Sequence, residues 1–288
     1  MHDVFYFTDI HGAGALYDAI MKFCKEQDDE CMIIFGGDAC DRGRDGYRII
    51  KELLNNPQVV YLKGNHEDML TKAMRELKEL FNFENRDRAE CREVLNACRY
   101  FDYKYAHIQD TLANGGMDTL LDWIEDGTPM EVCERLEKLP LTFVYNNVDF
   151  CHTTPIYKLF KEVNDLEYEE KPVKEWDATS LLWSRVCLDS CWAPKRLAIF
   201  GHTPVPFLPD YVTDMKLQFN EMKDVVPIKW GDPEITGEKL DMDTGAVFLG
   251  RAFVLNVLTM KAYGFENKDF MNKEIHEHDI EKIKVIQF

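Results

Sequence analysis

The sequence contains no C-x-x-C pair and no apolar run that approaches the length of a membrane span. Its nine cysteines are an odd number at irregular spacings, so we expect reduced, mostly buried thiols rather than a zinc site. No charged and then apolar leader precedes the first predicted strand. Together these absences predict a soluble protein of the cytoplasm with no membrane partner.

Positive charge is also scarce, with 34 Lys and Arg residues against 52 Asp and Glu and a net charge of −18. A surface that grips nucleic acid needs basic patches, so no stable nucleic-acid binding is expected. Phosphate chemistry at one local site is still allowed, because a bound metal ion can dominate its surroundings. The 45% hydrophobic and 30% charged residues are typical of a globular protein and leave its oligomeric state open.

The first third of the chain alternates between two hydrophobic periods. Predicted strands are "VFYFTDI", "CMIIFGGD" and "QVVYLKGNHE", and predicted helices are "ALYDAIMKFCKEQ" and "GYRIIKELLNN". Strands that alternate with helices indicate βαβ units and a largely parallel sheet. The expected fold class is therefore α/β, with residues 1–288 in a single domain.

The remainder of the chain is predicted in four parts. Residues of about 68–139 are charged and helical in pattern, so we expect a helical insertion over or beside the sheet. Short strands return in "LTFVYNNVDFCH" and "RLAIFGHTP", and "GAVFLGRAFVLNVLTM" predicts a hairpin that turns at Leu249-Gly250. Residues of about 205–239 contain prolines without a period and predict a long loop. The charged tail of about 265–288, with its "HEH", predicts a solvated helix or edge strand rather than a metal site.

Polar side chains follow the predicted strands, in this order along the chain: Asp9 and His11; Asp38, Asp41 and Arg42; Asn65 and His66; His152; His202. At the carboxyl ends of parallel strands such residues converge. Taken singly, each has a plainer interpretation. Asp9 can cap a helix, Asp41 and Arg42 can form a surface ion pair, Asn65 suits a turn, and a lone histidine is more often a core residue. Five such strand ends in one chain favour a common site.

The spacing of these residues resembles a known family. D-x-H-G, G-D-x-x-D-R-G, G-N-H-E, a lone His and G-H-T-P together resemble the calcineurin-like metallophosphoesterases over roughly residues 5–205. The R-G of the second motif and the E of the third are similar to the phosphoprotein phosphatase branch. "LLWSR" and "NGGMDTL" are similar to segments of its bacterial and phage members. The resemblance implies central mixed β-sheets flanked by helices, with a helical insertion.

The resemblance also implies six ligands of two divalent metal ions: Asp9, His11, Asp38, Asn65, His152 and His202. Asp38 would bridge the ions. Oxygen and nitrogen ligands suit manganese, which we expect first, or iron, zinc or magnesium. A water shared by the two ions would attack phosphorus directly, without a phosphorylated enzyme.

Other residues of the motifs are implied to act on the substrate. His66 would be the general acid, oriented by Asp41. Arg42 and Arg185 would clamp the phosphate, because a guanidinium fork matches two phosphate oxygens, and Asn65 would lie beside them. Asn114 either lines the site or is a plain turn residue.

The leading functional prediction is a serine/threonine protein phosphatase, with phosphotyrosine as a further substrate. The partner would be a phosphoprotein or a small phosphate ester. The alternatives are a dinucleoside polyphosphate hydrolase, a cyclic-nucleotide or RNA-end phosphodiesterase and, as a different class, a catalytically idle binding protein. Thr8 stands where the family usually has Gly, and "HTTP" replaces the usual His-Ala-Gly. The second change and the long loop lie where substrate would be held, so they leave the substrate open.

Overall fold

The protein is described from a computed structural model, for the following residues: 2–100, 105–153, 178–185, 195–208, 225–234, 237–267 and 280–288. These residues form two mixed β-sheets flanked by helices, in agreement with the predicted fold class.

The first third forms the predicted βαβ units: β1 (Val4–Phe7), α1 (Gly14–Gln27), β2 (Met32–Phe35), α2 (Gly46–Asn55) and β3 (Val59–Tyr61). The three strands pair in parallel in the order β1-β2-β3. Their carboxyl ends therefore share one edge of the sheet, which is where the polar motifs begin.

A helical region follows: α3 (Asn65–Leu80), α4 (Arg88–Cys98), α5 (Ala106–Ala113), α6 (Met117–Glu125) and α7 (Met130–Glu137). The prediction placed its start near residue 68, but α3 begins at Asn65. The difference arises because the strand-end motif itself forms the first turn, where the Asp38 carboxylate accepts from the N–H of His66 at 3.0 Å.

The second sheet consists of β4 (Thr142–Tyr145), β5 (Val148–Cys151), β6 (Leu197–Phe200), β7 (Ile228–Asp232) and β8 (Gly237–Asp241), in the order β4-β5-β6-β8-β7. β5, β6 and β8 run parallel, and β4 and β7 are antiparallel edge strands. A short helix, α8 (Ala178–Trp183), lies between β5 and β6 in the chain.

The predicted loop over about 205–239 is wrong in part. Its described residues include β7 and the start of β8, which pair with each other along five residues. Ile228 and Trp230 of β7 pack on the apolar cluster around β6, so the strand is stabilised by tertiary contacts. Pro227 and Pro233 flank β7, and prolines at such close spacing are typical of a loop, so the five-residue strand between them was not predicted. Val205–Phe207 form a 3₁₀ turn, and residues 209–224 and 235–236 lie outside the described residues.

The carboxyl-terminal strands extend the first sheet: after α9 (Ala246–Leu249) come β9 (Arg251–Asn256), β10 (Lys261–Asn267) and β11 (Ile280–Gln287). The full order is β11-β10-β9-β1-β2-β3, so β1 lies between β2 and β9. The antiparallel pairing was predicted, but the hairpin turns after Asn256 and not at Leu249-Gly250. Gly245 and Gly250 both have φ near +70° and bound a single helical turn there.

The tail ends in an edge strand, which was one of the two predicted alternatives, because β11 pairs only with β10 among the described strands. The "HEH" segment lies outside the described residues.

The two sheets pack face to face, and strand alternation decides what each side chain contacts. Val4 and Tyr6 of β1 point into the cluster between the sheets, with Phe150 of β5 and Ile199 of β6. Phe5 and Phe7 point to the opposite face, where the helices cover the first sheet. Both faces of β1 are thereby buried, which fixes the position of the residues that follow it.

Among the described residues no helix has both the length and the apolarity needed to cross a bilayer. The seven cysteines in this part of the chain are buried and free. Cys187 and Cys191 lie outside it.

Candidate metal centre

The predicted site residues meet where the carboxyl ends of β1, β2 and β3 face those of β5, β6 and β8. The N–H of Asp9 donates to the Gly37 carbonyl at 3.0 Å, which joins the loops after β1 and β2. The N–H of His202 donates to both Asp9 oxygens at 3.1 Å, which joins the two sheets. The site is therefore assembled from both sheets.

Two groups of side chains in the described part of the chain are close enough to hold a metal ion. One is His11, Asp38 and His66, and the other is Asp38, His152 and His202; within each, the possible ligand atoms lie within 4.8 Å of one another. Asp38 belongs to both groups. Asp9 borders the first, with Oδ1 3.9 Å from His11 Nε2.

The second group has acceptor atoms that face each other. The Nδ1 of His152 lies 2.9 Å from the Gly36 carbonyl, which can only accept, so Nδ1 carries the hydrogen. The lone pair of neutral Nε2 then points at Asn65 Oδ1, 3.0 Å away, and at Asp38 Oδ1, 3.4 Å away. His202 Nδ1 lies 2.9 Å from the same Asn65 oxygen. Lone pairs that converge in this way need either a proton or a cation between them.

The first group repeats the pattern. His11 Nδ1 lies 3.0 Å from the Cys40 carbonyl, which leaves Nε2 free to face the carboxylates, 3.6 Å from Asp38 Oδ2. A histidine whose other nitrogen donates to a backbone carbonyl is the usual arrangement for a metal ligand. The donor set of oxygens and imidazole nitrogens therefore fits two divalent cations.

The pKa values of the buried groups show how strongly the site favours added positive charge. Burial lowers the pKa of His152, but Asp38 outweighs it and raises that pKa to about 10. Burial and the nearby His152 lower the pKa of His202 to about 2. Burial and Asp243 hold the pKa of Asp9 well above its usual range. The direction of these shifts shows that Asp38 favours positive charge on the groups around it.

The backbone at the site is held in an uncommon conformation. Eleven described residues other than glycine have positive φ, and six of them are predicted site residues: Asp9, His11, Asp38, Asp41, Arg42 and His202. Each such residue costs on the order of 1–3 kcal/mol and persists only where surrounding contacts enforce it. Strain that is concentrated in this way indicates loops shaped to aim side chains.

Glu67 holds the loop after β2 through hydrogen bonds to its backbone. The motif spacing alone did not predict this role. Its Oε2 accepts from the N–H groups of Asp38 at 2.8 Å and Gly64 at 2.7 Å. Its Oε1 accepts from the N–H of Ala39 at 2.7 Å and the hydroxyl of Tyr61 at 2.8 Å. One buried carboxylate therefore ties β3, the start of α3 and the loop that carries Asp38. The sequence feature that could have pointed to this role is the position of Glu67 in the G-N-H-E motif.

His66 and Asp41 form the predicted pair. His66 Nδ1 lies 2.7 Å from Asp41 Oδ2, and both side chains are buried. Burial lowers the pKa of His66, but Asp38 and Asp41 reverse the shift and raise it above its ordinary value.

Arg42 Nη2 lies 3.1 Å from His66 Nε2. An arginine can only donate, so this contact belongs to the neutral ring. When Nε2 is protonated, Arg42 is repelled and its donors are free.

The remaining predicted residues border the site. Arg185 is exposed and its Nη2 donates to the His202 carbonyl at 3.4 Å. Asn114 follows α5 as its C-cap residue, and its side-chain amide donates to the Asp110 carbonyl at 2.9 Å. Beside it, the Gly115 carbonyl accepts from the N–H of Arg42 at 3.1 Å. Gly115 has φ +89°, and a Cβ there would lie 2.9 Å from the Arg42 backbone.

The two departures from the family pattern add hydroxyl groups. Thr8 donates to Asp9 Oδ2 at 2.5 Å, which supports that carboxylate. Thr153 donates to the Leu181 carbonyl at 3.0 Å, which joins the end of β5 to α8. Neither hydroxyl displaces a predicted ligand.

The chain belongs to the calcineurin-like phosphoesterase family, because the model of that family matches residues 3–226, more than half of the 288 residues. The family uses divalent metals and hydrolyses phosphoesters. No curated protein sequence matches the chain.

The chain is also similar to several solved structures. A protein assigned by inference as a diadenosine tetraphosphatase is 13% identical with a TM-score of 0.50, and the alignment covers 91% of this chain and 89% of that one. A metallophosphoesterase from Sphaerobacter thermophilus is 11% identical with a TM-score of 0.45, over 92% and 83% of the two chains. A cold-active protein tyrosine phosphatase is 14% identical with a TM-score of 0.43, over 98% and 78%. Of these three, the first reaches a TM-score of 0.50, and at 13% identity its likeness shows the fold alone.

Proposed function

We propose that this chain is a two-metal phosphoprotein phosphatase that hydrolyses phosphomonoesters of serine and threonine, and also of tyrosine, in proteins. One observation carries the proposal: Asp38 belongs to both metal-binding groups, and the buried His66–Asp41 pair lies directly beside it. A bridging carboxylate is what holds two cations close together in two-metal hydrolases.

The ligands are assigned as before: Asp9, His11 and Asp38 to one ion, and Asp38, Asn65, His152 and His202 to the other. When bound, the ions would activate a water near neutral pH and neutralise phosphate oxygens. Manganese is the first choice for reconstitution, with iron, zinc and magnesium as alternatives.

The residues of the chain itself would handle the leaving group. His66 Nδ1–H donates to Asp41, which leaves Nε2 to carry the proton that the departing oxygen needs. A bound phosphate dianion would draw the donors of Arg42 away from Nε2, so substrate binding and protonation of His66 favour each other. Arg185 would approach the phosphate from the His202 side.

The test is a side-by-side assay of metal-free protein reloaded with manganese. We expect the highest kcat/KM with a phosphopeptide, and lower values with diadenosine tetraphosphate and a cyclic nucleotide. A preference for diadenosine tetraphosphate would replace the proposal with dinucleoside polyphosphate hydrolysis, and no turnover of any substrate would contradict enzymatic function.

The variant Asp38→Asn should lower metal content and activity together. Asp29→Asn is the matched control, because it makes the same change at an exposed turn. Two metals per chain with full turnover in Asp38→Asn would contradict the bridge.

A further inference from the structure

Two phenylalanine rings are exposed beside the metal centre. Phe207 is 58% exposed and Phe248 is 47% exposed, whereas Phe5, Phe7, Phe35, Phe150 and Phe200 are fully buried. Phe207 lies in the 3₁₀ turn after β6 and Phe248 lies in α9 after β8, two adjacent parallel strands. Their ring centroids are 6.4 Å apart and the rings meet at 87°. We refer to these two rings as the Phe207–Phe248 corner.

The corner adjoins the predicted phosphate clamp. The guanidinium carbon of Arg42 lies 5.0 Å from the centroid of the Phe248 ring, within the range of a cation–π contact. The same guanidinium reaches His66 Nε2 at 3.1 Å. The corner therefore begins one side chain away from the group that would donate a proton to the ester oxygen.

The exposure of both rings means that burial in the core does not account for their position. Single exposed apolar residues are common, whereas contiguous exposed apolar side chains rimmed by polar groups are a feature of ligand-binding surfaces. Phenylalanine has no hydroxyl, so it can recognise a ligand only through the face and edge of its ring. Perpendicular rings let a third ring stack on one and meet the other edge-on, the two arrangements that aromatic pairs prefer.

We propose that the Phe207–Phe248 corner binds the aromatic ring of an aryl phosphate, which in a protein is the phosphotyrosine side chain. The inference rests on the proposed function and narrows its substrate. In an aryl ester the ring is joined to phosphorus through a single oxygen, so a phosphate on Arg42 puts the ring beside Phe248. Phosphoserine has no ring to place there. In a dinucleoside polyphosphate, the base is separated from the cleaved bond by a ribose and a further phosphate, which carries it past the corner.

The experiment compares two peptides that differ only in phosphotyrosine against phosphoserine. The two leaving groups differ in basicity, so the ratio of their kcat/KM values in the parent is not informative by itself. The change of this ratio in a variant cancels that difference. Phe207→Leu is the main variant, because the Arg42 guanidinium lies over the Phe248 ring and the change leaves that ring in place.

In Phe207→Leu the ratio of phosphotyrosine to phosphoserine kcat/KM should fall by about 2- to 10-fold, as one lost aromatic pair predicts. Phe248→Leu should lower it at least as much, and Phe248→Tyr should retain it. Tyr100→Leu is the matched control, because it removes an aromatic ring that is 87% exposed in the helical region. Metal content is measured on every sample.

An unchanged ratio in both leucine variants with full metal content would overturn the inference and leave the proposed function standing. A loss confined to diadenosine tetraphosphate hydrolysis would also overturn it, because the rings would then stack on a base. If the parent hydrolyses neither peptide, the proposed function fails and the inference falls with it.

Discussion

At the scale of single residues, the most informative contact is the one between Arg42 and His66. The pair Nη2···Nε2 at 3.1 Å requires a neutral imidazole, while Asp38 and Asp41 raise the pKa of the same imidazole. The His66 ring therefore has two states: a neutral one that accepts from Arg42, and a protonated one that Asp38 and Asp41 favour. Phosphate oxygens that accept from Arg42 would shift the balance to the protonated state, so the acid would be ready when substrate is bound.

His66→Asn tests this assignment. Because His66 is proposed as an acid and not a ligand, the variant should keep both metals. It should lose about 10²–10⁴-fold in rate toward a phosphoserine peptide. The loss toward p-nitrophenyl phosphate should be much smaller, since nitrophenolate can leave without a proton.

The measurement pairs kcat for the two substrates with elemental analysis of the same samples. His107→Asn, an exposed histidine on α5, is the control. His66 also lies in a group that could hold a metal. Loss of an ion with equal slowing of both substrates would make His66 a ligand.

At the scale of elements, the amino end of α3 concentrates three tasks within one turn. Asn65 places its Oδ1 between His152 and His202, and His66 faces Asp38. Glu67 accepts four hydrogen bonds, from Tyr61 of β3, from Asp38 and Ala39 after β2, and from Gly64 before α3. Carboxylates are also favoured near the positive end of a helix dipole. The helix therefore positions the site from its first turn, and the remaining turns anchor it in the core.

Glu67→Gln should lower the free energy of unfolding by roughly 2–4 kcal/mol, because the amide NH₂ would face N–H donors that the carboxylate now satisfies. Chemical denaturation gives the value. Glu79→Gln makes the same change at an exposed position of the same helix and should be near neutral. Equal stabilities for the two variants would show that the buried carboxylate does not hold the loop.

Elements with a strong period could be predicted from the sequence, and elements stabilised by distant partners could not. Val4–Phe7 form a continuous apolar run between Asp3 and Thr8, so β1 is visible in the pattern. β7 has five residues between two prolines and depends on β8 and the cluster at Trp230. The spacing of motifs located the candidate ligands, but the role of Glu67 required knowing which backbone N–H groups surround it.

At the scale of the whole molecule, the candidate metal centre lies between the two sheets. The first sheet and its loops supply Asp9, His11, Asp38 and Asn65, and the second supplies His152 and His202. Ions bound between them would bind the folded chain and not the unfolded one. Metal binding should therefore act as a clamp on the sandwich.

Manganese at 100 times its Kd should stabilise the metal-free protein by about 2.7 kcal/mol per site. For a domain of this size, that corresponds to a rise in Tm of roughly 5–10 °C. Thermal unfolding at increasing manganese concentration measures it. His202→Ala should lose much of the rise, and His107→Ala should retain it. An equal rise in both variants would place the bound metal elsewhere.

The order of the first sheet has a consequence for biosynthesis. β1 is synthesised well before β9, yet β9 is one of its two neighbours in the sheet, with Phe5 opposite Asn256. Until β9 has been made, one edge of β1 has unpaired backbone groups. Asp9 and His11 then follow a strand that pairs on one side only. Bare edges invite pairing with other chains, so nascent forms of this protein should depend on chaperones and should aggregate when translation stops early. The loop that carries Asp9 and His11 is thus fully supported only after β9 has been made.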